Sequence, residues 1–446
     1  MLDVRTRGAN AQQDMRSHLP RVLVVAHNPF TRNHSNGLTL SSLFEGWPTD
    51  RLAQLYVPFV HPIPPAFDVC RRFWMLTPFR IRDVKVPTNG EPATAAATWG
   101  PARALAARVG HVRAVQNVAY PAREILYGYQ PITRLPGFER VSSFQPDLIF
   151  SNLGTWCMCK LSRDVADFFG VPVVPFFTDD WLAHDNKRGY FMEKAIRERM
   201  GRAARGLVEA APVALVISDG MAREYERRYG RRFEAFTQCV DGSRFDPSLP
   251  QRAGRRVRFV YAGNLHAGRW VSLREIGEVL VQLRAEGLDA ELLVYSNPEH
   301  VREYRNKLES ACVRVVGSVA NAELPAIYAD ADVLVHVESF EREWLEYTRF
   351  SLSTKVTEYM MAGRALFGYG PPVNSLQHMQ ASGSAVCVLE PRRDELLSKL
   401  RGLIGDPSHR RGLGGRAREF AMQHHEGVAQ RVRFQSALRA SVGRLI

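Results

Sequence analysis

The densest chemistry in the chain lies in the segment SLSTKVTEYMMAG, residues 351–363. Ser351 or Ser353 can cap a helix there, and Gly363 is a natural stop before an apolar strand at 365–367. The N–H groups at such a helix start, beside Ser353 and Thr354, attract an anion. Lys355 falls in the first turn, where its ammonium reinforces the same anion, for instance a diphosphate. Glu358 comes three residues later and so shares a face with Lys355. A carboxylate at that point can accept hydrogen bonds from two neighbouring hydroxyls of a ribose. One helix end would then grip both the sugar and the phosphates of a nucleotide. The plainer alternative is a Lys–Glu surface pair on an ordinary amphipathic helix.

The elements that must position this segment follow a repeating pattern. Residues 21–26 form a continuous apolar run, and similar runs recur at 147–150, 171–174 and 213–217. A short run of this kind is what a parallel strand buried on both faces looks like. Helical spacing at 161–169 and 192–207 lies between them, which argues for a βαβ architecture. The pattern restarts at 257–261 and passes through Gly263 and Asn264 into a helix at 272–286. Strands at 290–295, 313–316 and 333–337 then alternate with helices at 300–310 and 322–328. Between them, near 241–256, Pro247, Pro250 and Gly254 break any regular element.

The expected fold is therefore α/β, with two doubly wound, Rossmann-like domains facing a central cleft. The expected boundaries are a polar leader at 1–20, a first domain at 21–245 and a second at 246–425. A helical segment at 426–446 could cross back over the first domain. Residues 57–136, with many prolines and an Ala-rich stretch at 93–107, read as an insertion facing the substrate.

Composition narrows the class. No apolar run reaches the about 18 residues of a membrane span, and the leader lacks an apolar export core. The six cysteines are scattered without zinc spacing, as free thiols in a reducing cytosol would be. The net charge of +13 is spread over both halves and favours polyanions: nucleic acid, anionic headgroups or nucleotide diphosphates. No nucleic-acid module stands out, and the arginines are dispersed rather than banded. Residues 70–82 interleave Arg71, Arg72, Arg80 and Arg82 with Phe73, Trp74 and Phe79. That mix suits the interface of an anionic bilayer. It suits equally a surface loop whose aromatics pack inward under solvated arginines.

The segment at 351–363 resembles the donor-site helix of GT-B glycosyltransferases, in particular the family 4-like group, whose pattern reads S-x-K-x-x-E-Y-M-A-x-G-x-P. Ser353, Lys355, Glu358, Tyr359, Met360, Ala362 and Gly363 carry the likeness. Further stretches fall in the family's order: the helix start at Ser218, the segment 237–245 that closes the first domain, the turn at 261–265, and the run from Gly317 to Val333. The resemblance implies that Glu358 holds the ribose, while Lys355 and Arg269 neutralise the leaving diphosphate. It also implies that the Gly263–Asn264 turn lets backbone approach the phosphates, and that Gly317, Ser318 and Val319 line the base pocket. Arg269 could equally be a plain surface arginine. Asn36 and Gly37 would form the loop near donor phosphate and acceptor.

Asp180 and His184, with Asp179 in reserve, stand where related enzymes face the reacting carbon. An inverting enzyme needs such a group as general base for the acceptor hydroxyl, whereas a retaining one does not. Either aspartate could instead simply cap the next helix. Many family members place a second Glu ahead of the ribose-binding one in an E-x7-E arrangement; here that position is Phe350, and of Glu338, Glu341, Glu343 and Glu346 upstream one could substitute, or all could equally be solvated.

The function implied is transfer of a sugar from a nucleoside-diphosphate sugar to a saccharide or lipid-linked acceptor in cell-surface glycan assembly. Beyond that co-substrate it expects no cofactor, no metal and no nucleic-acid partner. The place expected is the cytoplasm, with peripheral contact at the inner membrane face. The competing readings are a sugar-nucleotide epimerase of similar build and a non-enzymatic polyanion-binding protein.

Overall fold

The computed structural model describes residues 19–32, 35–58, 63–85, 113–181, 190–246 and 256–443. The chain divides into two compact units, Met1–Phe236 with Arg431–Ile446, and Thr237–Gln430.

The first unit is built on an 8-stranded sheet, ordered β4-β3-β2-β1-β5-β6-β7-β8. Its strands are β1 (Val22–Ala26), β2 (Leu52–Tyr56), β3 (Phe73–Thr77), β4 (Arg80–Val84), β5 (Leu148–Leu153), β6 (Val173–Phe177), β7 (Leu215–Val216) and β8 (Glu234–Ala235). All neighbours pair in parallel except β3 and β4. The strand order reverses at β1 and β5. Helix ends here follow local rules. Thr155 caps the helix Trp156–Phe169 by accepting from the Met158 amide, and Gly170 ends it in the left-handed region. Ser218 and Gly230 do the same for Asp219–Tyr229.

Residues 63–85 correct the expectation of an insertion. They extend the sheet, because the run from Phe73 to Thr77 is apolar enough to be buried throughout. Trp74 meets Phe144 edge-on at 6.2 Å, and the Arg72 guanidinium lies 5.6 Å from the same ring. Of the aromatics once open to a bilayer reading, Phe73 and Trp74 are thus core residues. Phe79, at the β3–β4 turn, remains 74% exposed. The Ala-rich stretch at 93–107 lies outside the described residues.

The second unit has a 6-stranded, wholly parallel sheet, ordered β11-β10-β9-β12-β13-β14. Its strands are β9 (Val257–Ala262), β10 (Ala290–Tyr295), β11 (Val313–Gly317), β12 (Val333–Val337), β13 (Ala365–Tyr369) and β14 (Ala385–Val388). Successive side chains of β9 serve opposite faces. Phe259 and Tyr261 join Leu273, Ile276 and Leu280 of the helix Arg269–Ala285, while Val260 and Ala262 join Val356, Tyr359 and Met360 of the helix Thr354–Met361. Both faces are covered, so these strands read as unbroken apolar runs. The last helix, Gly427–Val442, delivers Phe434 into the first unit's core against Phe44, Phe150 and Phe236. Among the described residues, no helix is long and apolar enough to cross a membrane.

Candidate functional site

Open parallel sheets bind ligands outside the carboxyl ends of their strands, where the strand order reverses. In the second unit that point lies between β9 and β12. Gly263 follows β9, Glu338 follows β12, and the helix Thr354–Met361 begins on the return path to β13.

Ser353 is the N-cap residue of this helix, but its side chain makes no capping hydrogen bond. Its amide instead donates to Ser375 Oγ at 3.0 Å, which holds the approach to the helix. The side-chain cap expected of Ser353 is therefore absent. An anion is the natural partner for such a terminus. The helix cannot drift, because the Tyr359 hydroxyl accepts from the Ala262 amide at 2.9 Å and ties it to the end of β9.

Lys355 lies across Gly263. A Cβ at residue 263 would stand 2.2 Å from Lys355 Cε and 2.8 Å from its Nζ, so the glycine makes room for the lysine. Gly263→Ala should push the flexible lysine tip aside while leaving the fold intact. We expect calorimetric titration to show affinity for a nucleoside diphosphate reduced about tenfold, about 1.4 kcal/mol, with little change in melting temperature. Unchanged affinity would separate Lys355 from the phosphates.

Arg269 is no loose surface arginine. Its Nε and Nη2 donate to the Glu338 carboxylate at 2.9–3.1 Å, and Nη1 donates to Asn264 Oδ1 at 2.7 Å. Only 3% of the Glu338 side chain is exposed, and His336 Nε2 lies 3.3 Å from its other side. Burial pushes the Glu338 carboxyl up, yet Arg269 and His336 outweigh it and hold it at about 2. The enclosed ammonium of half-buried Lys355 is drawn down to about 8, by burial first and by Arg269 second, with Glu338 and Glu358 opposing.

Glu358 is buried, which sets aside the surface-pair alternative. Gln238 Nε2 donates to its Oε1 at 3.3 Å, Arg244 Nη1 stands at 3.9 Å, and the Tyr328 hydroxyl lies close by. Burial raises its pKa against the pull of Arg244 and Gln238. Gln238 Oε1 is itself buried and has no partner.

Gly263, Asn264, Arg269, Ser353, Thr354, Lys355 and Glu358 thus converge. Glu338, His336, Gln238, Arg244 and Tyr328 join them; of these, sequence reasoning raised only Glu338, as one of four glutamates that could replace the absent second one. Gly317, Ser318 and Val319 do not join the cluster, since β10 separates their strand β11 from β9. Gly317, at φ +121°, and Ser318 line a separate pocket of about 410 Å³ with Pro298, Val301, Arg302, Arg305 and Asn306. Two strand spacings, roughly 10 Å, lie between this pocket's edge of the sheet and Gly263.

In the first unit, Asn36 and Gly37 occupy the first turn of the helix Ser35–Phe44, beyond β1. Gly37 is required for packing, because a Cβ there would meet Thr31 Cγ2 at 2.3 Å and the Pro29 carbonyl at 2.6 Å. Asp180, the expected general base, is engaged by the fold. It is buried, both its oxygens accept from Arg228 at 2.7 and 2.8 Å, and Oδ1 also accepts from the Tyr225 hydroxyl at 3.1 Å. A carboxylate committed in this way anchors the helix Asp219–Tyr229. Asp180→Ala should destabilise the protein by about 2 kcal/mol, because it removes one of the two carboxylates, Asp180 and Glu224, that hold the Arg228 guanidinium. Thermal unfolding measures the effect, and a variant that melts with the wild type would refute the anchor role. Asp179 is half-buried, and His184 lies outside the described residues.

Solved structures establish the same architecture. Sucrose-phosphate synthase of Thermosynechococcus elongatus superposes with a TM-score of 0.60 at 14% identity, covering 94% of this chain and 98% of that one. HepE of Anabaena, in complex with UDP and glucose, gives 0.59 at 13% identity over 94% and 99%. A glycosyltransferase from Rickettsia africae gives 0.60 at 8% identity over 96% and 100%. No curated protein sequence matches the chain. Residues 256–434, which hold the cluster apart from Gln238 and Arg244, match the family described as glycosyl transferase-like.

The chain has the GT-B fold, and its residues 256–434 carry the glycosyl transferase-like match. The chemistry a glycosyltransferase would ask of this cluster is electrostatic. When a glycosidic phosphate bond breaks, negative charge grows on the departing diphosphate. Preorganised amides and a fixed ammonium stabilise that charge without reorganising.

Proposed function

We propose that this protein is a glycosyltransferase taking its sugar from a nucleoside-diphosphate donor seated at the carboxyl ends of β9 and β12. The sugar passes to a saccharide or lipid-linked acceptor in cell-surface glycan assembly at the cytoplasmic face of the membrane. The observation that carries this reading is the helix start at Thr354. Uncapped amides and Lys355 offer a place for phosphate, and one turn on Glu358 stands with the buried, unpartnered Gln238 Oε1 beside it. A ribose diol presents the donors and acceptors that such a pair needs. HepE, which shares the fold, was crystallised with UDP, with UDP-glucose, and with UDP and glucose.

Titration calorimetry with UDP, GDP and dTDP tests the donor class, and acceptor-dependent release of the free diphosphate tests transfer. If none of the three nucleotides binds, the reading is lost. Membrane contact is a separate limb. Arg71, Arg72, Phe79 and Arg80 are the exposed groups of the 70–82 stretch. Flotation with anionic vesicles, before and after Phe79→Ser with Arg71→Ser, is therefore the measurement; equal flotation excludes this surface.

A further inference from the structure

Glu338 is gripped by its backbone as well as its carboxylate. Its amide donates to the Tyr369 carbonyl at 3.0 Å, and its carbonyl accepts from Ser272 Oγ at 2.9 Å. Gly370, at φ +156°, approaches so closely that a Cβ there would lie 2.9 Å from the Glu338 carbonyl oxygen. Gly268, at φ +70°, would set a Cβ 2.3 Å from Ser339 Oγ. These contacts fix the backbone from which the Glu338 carboxylate reaches Arg269.

The charges nearby explain why that rigidity is useful. The groups acting on the Lys355 ammonium are Arg269 from its own helix, Glu338 and His336 from the end of β12, and Glu358 one turn on, with Arg244 beside it. The Tyr261 hydroxyl reaches the same spot beside Gly263 from β9. Arg269 and Lys355 repel each other inside an enclosed space, where Coulomb interactions are weakly screened. Glu358 is engaged by Gln238 and Tyr328. The carboxylate paired with Arg269, at 2.9–3.1 Å, is Glu338, and its charge also favours the Lys355 ammonium nearby.

We propose that Glu338 is a positioning residue for the donor diphosphate: it aims the Arg269 guanidinium, whose other arm Asn264 steadies, and it keeps the Lys355 ammonium charged until the phosphates arrive. It does this without touching the phosphates, which carry its own sign. His336, neutral under burial, backs the carboxylate from the far side. The inference rests on the nucleotide-donor reading above.

The test is UDP titration of the full chain across a pH series centred on about 8. Wild-type affinity should hold below about 8 and decline above it as Lys355 loses its proton. In Glu338→Gln the alkaline decline should begin about one unit lower, since a neutral amide no longer favours the ammonium. Glu338→Asp keeps the charge but draws it back by one methylene. Its decline should stay near the wild-type position, while affinity at neutral pH drops about fivefold through a misaimed Arg269. A Glu338→Gln protein that melts normally and declines where the wild type does would overturn the proposal. Should that variant fail to fold, the Asp variant decides, and wild-type affinity in it overturns the proposal equally. A wild type that binds none of UDP, GDP and dTDP would bring down the donor reading itself and this inference with it.

Discussion

Glu358→Ala is expected to cost this protein on the order of a hundredfold in nucleoside-diphosphate affinity. Two hydrogen bonds from ribose hydroxyls to a charged acceptor are lost, roughly 2–3 kcal/mol after exchange with water. The neighbours sharpen the effect, because Gln238 and Tyr328 lose their shared neighbour in a buried place. Loss of affinity alone could follow from local collapse, so the decisive comparison uses UDP against its 2′-deoxy analogue. The wild type should discriminate between them, and Glu358→Ala should not. Discrimination that survives the mutation would remove the ribose from Glu358.

Lys355→Met should separate stability from function. Folding lowers the lysine pKa to about 8, below the roughly 10.4 of an exposed lysine. For a group shifted down, the unfolded chain binds more protons between the two values, so ligand-free stability rises with pH across that window. Below about 8 the folded protein carries the full cost of an enclosed ammonium. Methionine fills similar space without the charge. The variant should therefore melt higher than the wild type at neutral pH while binding a nucleoside diphosphate about tenfold to a hundredfold more weakly. Its affinity should also lose the alkaline decline. A variant that binds as tightly as the wild type, or keeps that decline, would show that the titrating group lies elsewhere.

The strands were legible wherever helices cover both faces, as at β9 and β12. β2 escaped because Gln54 interrupts it. That side chain is fully buried, satisfied by the Phe30 amide and the Asn28 carbonyl, and local sequence shows neither partner. β3 was obscured by the arginines around it, which suggested an interface instead of a sheet. Lys355 and Glu358 were readable because one helical turn relates them. Glu338 was not, since its arginine lies 69 residues away in sequence, and Gln238 stands 120 residues from the carboxylate it supports. The ion pair of Asp180 was hidden for the same reason, for its partner Arg228 is 48 residues distant. Sequence spacing exposes partners on one element; those joined by the fold need the fold.

The path of the chain bears on its birth at the ribosome. Phe434 fills a ring-lined seat among Phe44, Phe150 and Phe236, all synthesised long before it. At about 5–20 residues per second, the stretch from Phe236 to Phe434 takes roughly 10–40 s to make. For that interval the first unit waits with an aromatic groove open, while the entire second unit can emerge and close. Nascent chains paused just short of Phe434 should thus be sticky, and the amino-terminal half should finish folding last although it is translated first.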